Sequence, residues 1–398
     1  MIAVEEALAG ILAPLRPLGG EEVSLAAALG RVLARDVPAL RTHPPTDVSA
    51  MDGYAVRAED AACTPAELSV IGAAPAGKAF TGRVGKGEAV RIFTGGAVPA
   101  GADAIVIQED VESLEKKRIR VHAAAKPGRH IRAKGLDVAA SGIVLGAGRI
   151  LTARDIGLAA TAGHDRLCVI RQPRVALIFT GSELKRPGEA LGPDDIVNSN
   201  APMLAAFVSQ HGGVPLDLGI AVDDAAALAA AAEKFDEADI CVTVGGASVG
   251  DHDLVQPVLT KAGLEVGFWK VAMRPGKPLI HGNFRGRPFL GLPGNPVSAM
   301  VCAILFLRPM VEALGGRPIW RHAATPARLA AAMPANGTRQ DYVRASLERR
   351  EDGSLWACPM PVQDSAMLSI LAKADGLIVR PIGAPAAPSG ASVPVIRL

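Results

Sequence analysis

From residue 173 onward, short apolar runs alternate with stretches that are apolar at every third or fourth position. Strands are expected at 174–179, 214–220, 240–244 and 264–270, with helices at 201–210, from 224, and at about 254–261 between them. Two further runs, 279–283 and 288–292, meet at Arg285-Gly286 as a hairpin, and Pro296 opens a long helix over 297–314. Asn200 and Asn295 are expected as helix caps. Strand–helix alternation with short loops predicts a mostly parallel, doubly wound sheet.

Upstream the texture differs. Helical spacing marks 4–12 and 23–33, with Pro14, Pro17, Gly19 and Gly20 between them. From 44 to 137 short Val/Ile runs at 68–71, 89–93, 104–107 and 118–121 are separated by Gly and Pro, the pattern of a compact barrel or sandwich. A helix returns over 150–163, with Thr152 as N-cap. After 317 the chain is β-like to a final strand at 393–398. The expected class is α/β plus β, multidomain. A helical, elongated linking region (1–45 and 138–171) carries an inserted β-domain (46–137), followed by a central doubly wound α/β domain (172–319) and a C-terminal β-domain (320–398).

Length supports that division, because 398 residues exceed one hydrophobic core. A net charge of +2 gives no polyelectrolyte footprint, so no nucleic-acid partner is expected. Five cysteines without a Cys-x-x-Cys pair argue against a zinc ribbon, an iron–sulfur site or a disulfide scaffold. The opening residues carry acids where a signal peptide would be basic, and no segment reads as an uninterrupted membrane span. A soluble, cytoplasmic protein is expected.

Chemistry gathers in the loops after the expected strands, where open α/β sheets bind ligands. Thr180-Gly-Ser-Glu183 and Asp223-Asp224 bring carboxylates. Gly245-Gly-Ala-Ser-Val-Gly-Asp-His-Asp253 combines close-approach glycines (Gly245, Gly246, Gly250) and Ser248 with acids, as an anion nest beside a metal ion would. Its spacing is neither a Walker A loop nor a dinucleotide fingerprint. Lys270 and Arg274-Pro-Gly-Lys277 add cations on a stiff turn, and Pro293-Gly-Asn-Pro296 makes a rigid elbow through Gly294 and Asn295. With no Cys or His cluster among these acids, magnesium suits them better than zinc. An anionic, phosphate-bearing ligand with a divalent cation fits the mixture.

With those residues assembled, the chain resembles the molybdopterin molybdenumtransferase (MoeA) family, also found as the gephyrin E domain. The likeness rests on Pro44-Pro-Thr-Asp-Val-Ser-Ala-Met-Asp-Gly-Tyr-Ala-Val56, Arg91-Ile-Phe-Thr-Gly95, Gly135-Leu-Asp137, Thr180-Gly-Ser-Glu-Leu184, Gly245-Gly-Ala-Ser-Val-Gly250, Arg274-Pro-Gly-Lys-Pro278 and Gly291-Leu-Pro-Gly-Asn-Pro-Val-Ser298. Arg339-Gln-Asp-Tyr-Val-Arg344 and Ser365 extend it into the last domain. The resemblance implies a homodimer whose active site lies between the α/β domain of one subunit and β-domains of the other. It implies adenylated molybdopterin and molybdate as substrates, and magnesium-assisted release of AMP. By the same resemblance Asp52, Asp137, Glu183, Asp253 and Lys277 are catalytic, with Glu183 and Asp253 holding the metal. Thr94, Thr180, Gly181, Ser182, Gly245, Gly246, Ser248, Gly250, Lys270, Arg274, Pro293, Gly294, Asn295, Pro296, Arg344 and Ser365 shape or contact substrate. Thr46 and Val48 depart from the family's usual aromatic and Asn. The molybdopterin adenylyltransferase and acceptor molybdoenzymes would be further partners. Two other readings remain open, an adenylyltransferase on the same α/β domain and a receptor-anchoring scaffold of the gephyrin type.

Overall fold

A computed structural model describes residues 1–246, 254–320 and 324–398. The chain divides into two compact units, one of residues 1–21 with 170–398 and one of residues 22–169.

In the first unit a six-stranded sheet runs in the order Val214–Ala221, Arg174–Thr180, Ile240–Val244, Arg287–Leu292, Pro278–Phe284, Leu264–Lys270. The first four strands are mutually parallel, and the last two join antiparallel through the expected hairpin. The central strand Ile240–Val244 is buried at every position, because helices cover both faces. One face packs under Pro296–Leu314 and the N-terminal helix Val4–Leu12, which buries Val4, Ala7, Leu8 and Ile11. Those four positions fall three or four apart, so one stripe of the helix faces the core. The first helix therefore belongs to this core.

The stretch 296–314 is long and apolar enough to cross a membrane by length and composition alone, which departs from the expectation of no such segment. It is the core helix of the sheet, with 89% of it buried inside the protein. A π-helical turn over Ala303–Leu307 interrupts it before Arg308–Leu314.

The same unit carries a second sheet. Gln340–Arg349, Leu355–Pro359, Thr325–Leu329, Ser392–Arg397 and Gly376–Arg380 pair in that order, and Gly376–Arg380 pairs back onto Gln340–Arg349. The ring is closed around Leu329, Ala345, Ile378 and Val395. Closure removes exposed edges. One short strand, Met273–Arg274, adds to its outside by pairing with residues 340–341.

In the second unit, six strands pair in the order Ala104–Ile107, Gly53–Val56, Glu88–Ile92, Ala66–Ala74, Arg118–Val121, Val111–Leu114. The two end strands are separated in sequence only by a helical turn over Gln108–Asp110, so the sheet curls on itself. The expected helix at 150–163 is Ala153–Thr161; the Asp155 carboxylate accepts both the Thr152 backbone N–H (2.8 Å) and its hydroxyl (2.7 Å). The helix expected at 23–33 is absent. Gly20–Ser24 is extended, Leu25–Ala27 makes one 3-10 turn, and Gly30 adopts φ +73°, which ends helical continuation. Val32 and Leu33 bury themselves instead as single bridges to Ile150 and Val169, so apolar spacing alone misassigned them.

Candidate functional site

The parallel strands of the α/β sheet end at Thr180, Ala221, Val244 and Leu292, and the loops that follow converge at one edge. Gly181 N–H bonds the Ala221 carbonyl (3.3 Å), and Gly245 N–H bonds the Leu292 carbonyl (3.0 Å). A cleft of about 1350 Å³ opens there. Of the residues singled out by sequence, Thr180, Gly181, Glu183, Gly245, Gly246, Arg274, Lys277, Pro293, Gly294, Asn295, Pro296 and Ser365 line it.

Local backbone explains the glycines. Gly245 has φ +98°, and a Cβ there would lie 2.6 Å from the Thr180 carbonyl oxygen and 2.7 Å from its hydroxyl. No side chain fits, and the bare backbone forms the wall of the cleft. The Thr180 hydroxyl oxygen and the Asn200 Oδ1 are buried there without a hydrogen-bond partner among the described residues. Asn200 proves to be the first helical residue of Asn200–Gln210 and not its cap. Its amide instead donates to the Gly294 carbonyl (2.7 Å) and braces the elbow, while Asn198 Oδ1 accepts the Ala201 N–H (3.2 Å). Asn295 does stand at the N-cap position, yet its side chain donates to the Ser365 hydroxyl (2.9 Å). That bond ties the elbow to the C-terminal part of the unit.

Two cations of the turn differ. Arg274 is ion-paired to the buried carboxylate of Asp341, whereas Lys277 is exposed and forms no ion pair among the described residues. Lys270 is not brought to the cleft; its ammonium sits 4.0 Å from the Trp269 ring centroid. Arg344 is not on the surface of the cleft either. It is 1% exposed, and burial lowers its pKa against the pull of Asp364. Its guanidinium donates to the Asp364 carbonyl (3.3 Å), and its backbone exchanges two 3.0 Å bonds with the Gln363 side chain. Arg344 thus underpins the 363–365 wall that carries Ser365.

Among the acids, Glu183 and Asp223 face the cleft. Ser182 lies outside its lining and fixes Asp223, giving it a backbone N–H (3.1 Å) and accepting one at its hydroxyl (3.2 Å). Asp224, one residue on, is the helix cap, accepting the Ala227 N–H at 2.8 Å. Ser248, Gly250 and Asp253 lie outside the described residues, so only Glu183 of the expected metal pair is placed. No group of three metal-binding side chains occurs among the described residues. Glu183 and Asp223, both exposed on the cleft lining, are hard oxygen donors of the kind magnesium takes one or two of, completing its shell with water and phosphate.

In the other unit, Asp52 Oδ1 accepts the Thr94 backbone N–H (2.7 Å) and hydroxyl (2.8 Å). The Thr94 backbone bond first, then its hydroxyl, hold this carboxyl below the usual range, and Arg91 adds to the effect. Arg91 itself sits 5.0 Å from the centroids of both Tyr54 and Phe93. Asp137 lies apart on a cavity of about 600 Å³ that Lys78 and Arg132 also line. Asp47 is structural, accepting the Lys134 N–H at 2.8 Å.

Sequence reasoning missed Asp341, Gln363 and the bracing role of Asn200. Asp341 stands inside the Arg339–Arg344 motif, but nothing local marks Arg274 as its partner; Gln363 and Asn200 also act through partners distant in the chain, for which periodicity carries no signal.

Comparison with known proteins covers nearly the whole chain. The MoeA N-terminal region (domains I and II) matches residues 2–163, a probable molybdopterin binding domain matches 176–313, and the MoeA C-terminal region (domain IV) matches 326–398. A molybdopterin molybdenumtransferase from a Nostoc species is 37% identical over 95% of this chain and 88% of its own length. Molybdopterin molybdenumtransferase 2 of Mycobacterium tuberculosis is 38% identical over 94% of this chain and 93% of its own. A crystal structure of the Pyrococcus horikoshii molybdopterin biosynthesis MoeA protein superposes with a TM-score of 0.86 at 33% identity, covering 100% of this chain and 99% of that one.

Proposed function

Since the chain belongs to the MoeA family and is a molybdopterin molybdenumtransferase of molybdenum-cofactor biosynthesis, we propose that it transfers molybdenum from molybdate to adenylated molybdopterin and releases AMP. One observation carries this reading: a lysine with no ion pair among the described residues lines the same cleft as side-chain-free backbone at the carboxyl edge of the sheet. That is the environment an oxyanion and a pyrophosphate need.

Lys277 and the free donors of the Arg274 guanidinium bind oxyanion oxygens as charge-assisted partners. Gly245 and Gly246 admit the nucleotide to the backbone, and the Thr180 hydroxyl gains the partner it lacks. Pro293, Gly294 and Pro296 hold the elbow rigid, so that Asn295 and Ser365 keep a fixed position at the far wall. Glu183, with Asp253, would hold magnesium, which offsets the charge of the pyrophosphate and of the departing AMP. No thiolate of the protein is required, because the substrate dithiolene supplies the sulfur. Asp52, kept ionised by Thr94, serves the same reaction as an acceptor. We further propose a cytoplasmic homodimer.

The test is direct. Purified protein is given adenylated molybdopterin and molybdate, and AMP is followed by chromatography with and without magnesium. Molybdate- and magnesium-dependent AMP release is expected. AMP formation from ATP and molybdopterin instead would replace this reading with adenylyl transfer. Light scattering at micromolar concentration should give twice the chain mass; a monomer overturns the dimer.

A further inference from the structure

Among the described residues, Arg274 is the cleft cation with an ion-pair partner, Asp341, which the Arg339–Arg344 motif spans without giving it a role. The hold is built from backbone as well as charge. Met273 and Arg274 pair in parallel with Gln340 and Asp341, and Gln340 N–H bonds the Ala272 carbonyl at 2.8 Å. This places the Asp341 carboxylate, on a residue only 5% exposed, against the Arg274 guanidinium, whose side chain is 61% exposed. The other cation opposite Asp341 is Arg380, which pairs with it across the closed sheet. Its guanidinium is directed to the Pro334 and Pro385 carbonyls, so Arg274 is the ion partner of Asp341.

We propose that Asp341 is a positioning residue for oxyanion binding, acting through Arg274. An arginine presents five donors in a planar fork. With one amino group fixed on a buried carboxylate, the remaining donors point from a defined place at the cleft rim, and a solvated, mobile side chain becomes a preorganised one. The C-terminal ring thereby contributes to the cleft twice: its Gln340–Arg349 strand carries Asp341 to Arg274 and Arg344 to the 363–365 wall. The inference rests on the reading of this cleft as an oxyanion site.

The experiment is a double-mutant cycle of Asp341→Asn and Arg274→Ala, read by calorimetric titration with molybdate and by the KM and kcat of AMP release. Asp341→Asn alone should weaken molybdate binding roughly tenfold and raise its KM similarly, with kcat at saturating molybdate unchanged. In the Arg274→Ala background it should add nothing, because the group it positions is gone. An equal loss in both backgrounds, a fall in kcat with unchanged KM, or no effect at all would overturn the proposal. Melting curves accompany each variant, and Asp341→Ser replaces Asp341→Asn if the latter does not fold. Failure of both neutral variants to fold would also overturn it, since Asp341 would then be a structural residue. Wild-type protein that binds no molybdate instead refutes the oxyanion reading itself, whereas wild-type binding with an unaffected Asp341→Asn refutes only the role of Asp341.

Discussion

The α/β sheet has a crevice at each end, and the two are built on opposite principles. At the amino ends of its strands a crevice of about 780 Å³ is rich in charge. Arg171 is bidentate to Asp239 (2.7 and 2.8 Å), Arg174 meets Glu237 (3.3 Å), Arg285 is bidentate to Glu233 (2.7 and 2.9 Å), and Arg287 meets Asp236 (3.0 Å). Each of those four arginines has a carboxylate of its own. At the carboxyl ends, among the described residues, Lys277 has none, glycine backbone is bare, and a threonine hydroxyl is buried without a partner. Charge density is thus a poor guide to function. Charges satisfied within the protein organise a fold, and charges or donors left over can receive a ligand.

The sharpest way to break the comparison is to remove one charge from each edge. Lys277→Ala should lower AMP release on the order of 100-fold, with a melting temperature near that of wild type. Equal activity per folded molecule would mean that the unpaired lysine has no ligand to meet.

Asp239→Asn should do the reverse. Asp239 accepts both Arg171 nitrogens and the Arg174 N–H (2.8 Å), so its loss should cost about 2 kcal/mol of stability while leaving activity per folded molecule intact. Burial of Asp239 pushes its pKa up, but the hydrogen bonds from Arg171 and Arg174 outweigh this, and the net shift is down from 3.8. Its stabilising contribution is therefore complete above the unfolded value of 3.8 and fades as pH falls through the lowered folded value. Denaturant titrations across pH 2–7, a range of about five units around that value, should show the wild-type advantage over Asp239→Asn shrinking only at the acid end. An advantage unchanged at the acid end would refute the pairing.

The smallest effect on chemistry is expected from sulfur. Burial pushes the Cys241 thiol up to about 12 and raises Cys302 as well, so neither is a thiolate at neutral pH. Cys302 packs under the cation turn, where a Cβ at Gly276 would lie 2.5 Å from its sulfur. Replacing all five cysteines by Ala or Ser should cost about 2–3 kcal/mol of stability through lost core volume. Molybdenum transfer per folded molecule should stay within about twofold of wild type. Loss of transfer with nucleotide binding intact would give a protein thiolate the metal-handling role.

Much of the molecule was legible in sequence because its determinants are local. Alternation of short apolar runs with helical spacing announced the α/β sheet, the Arg285-Gly286 turn announced its hairpin, and glycines with positive φ marked the loops that line the cleft. Thr180, Gly245, Lys277 and Pro296 were identifiable from residue type and from their place after a strand. Where an element depended on distant partners, sequence misled or was silent. The 23–33 segment has helical spacing but pairs with 149–151 and 169 across more than a hundred residues. Lys270 and Arg344 have the right charge, yet one lies over Trp269 and the other is buried behind the wall. Residue type and periodicity, properties of neighbours in the chain, determined which loops are reactive in kind. Only the tertiary structure decided which charges are free, because pairing depends on residues such as Arg274 and Asp341 that meet across 67 positions of sequence.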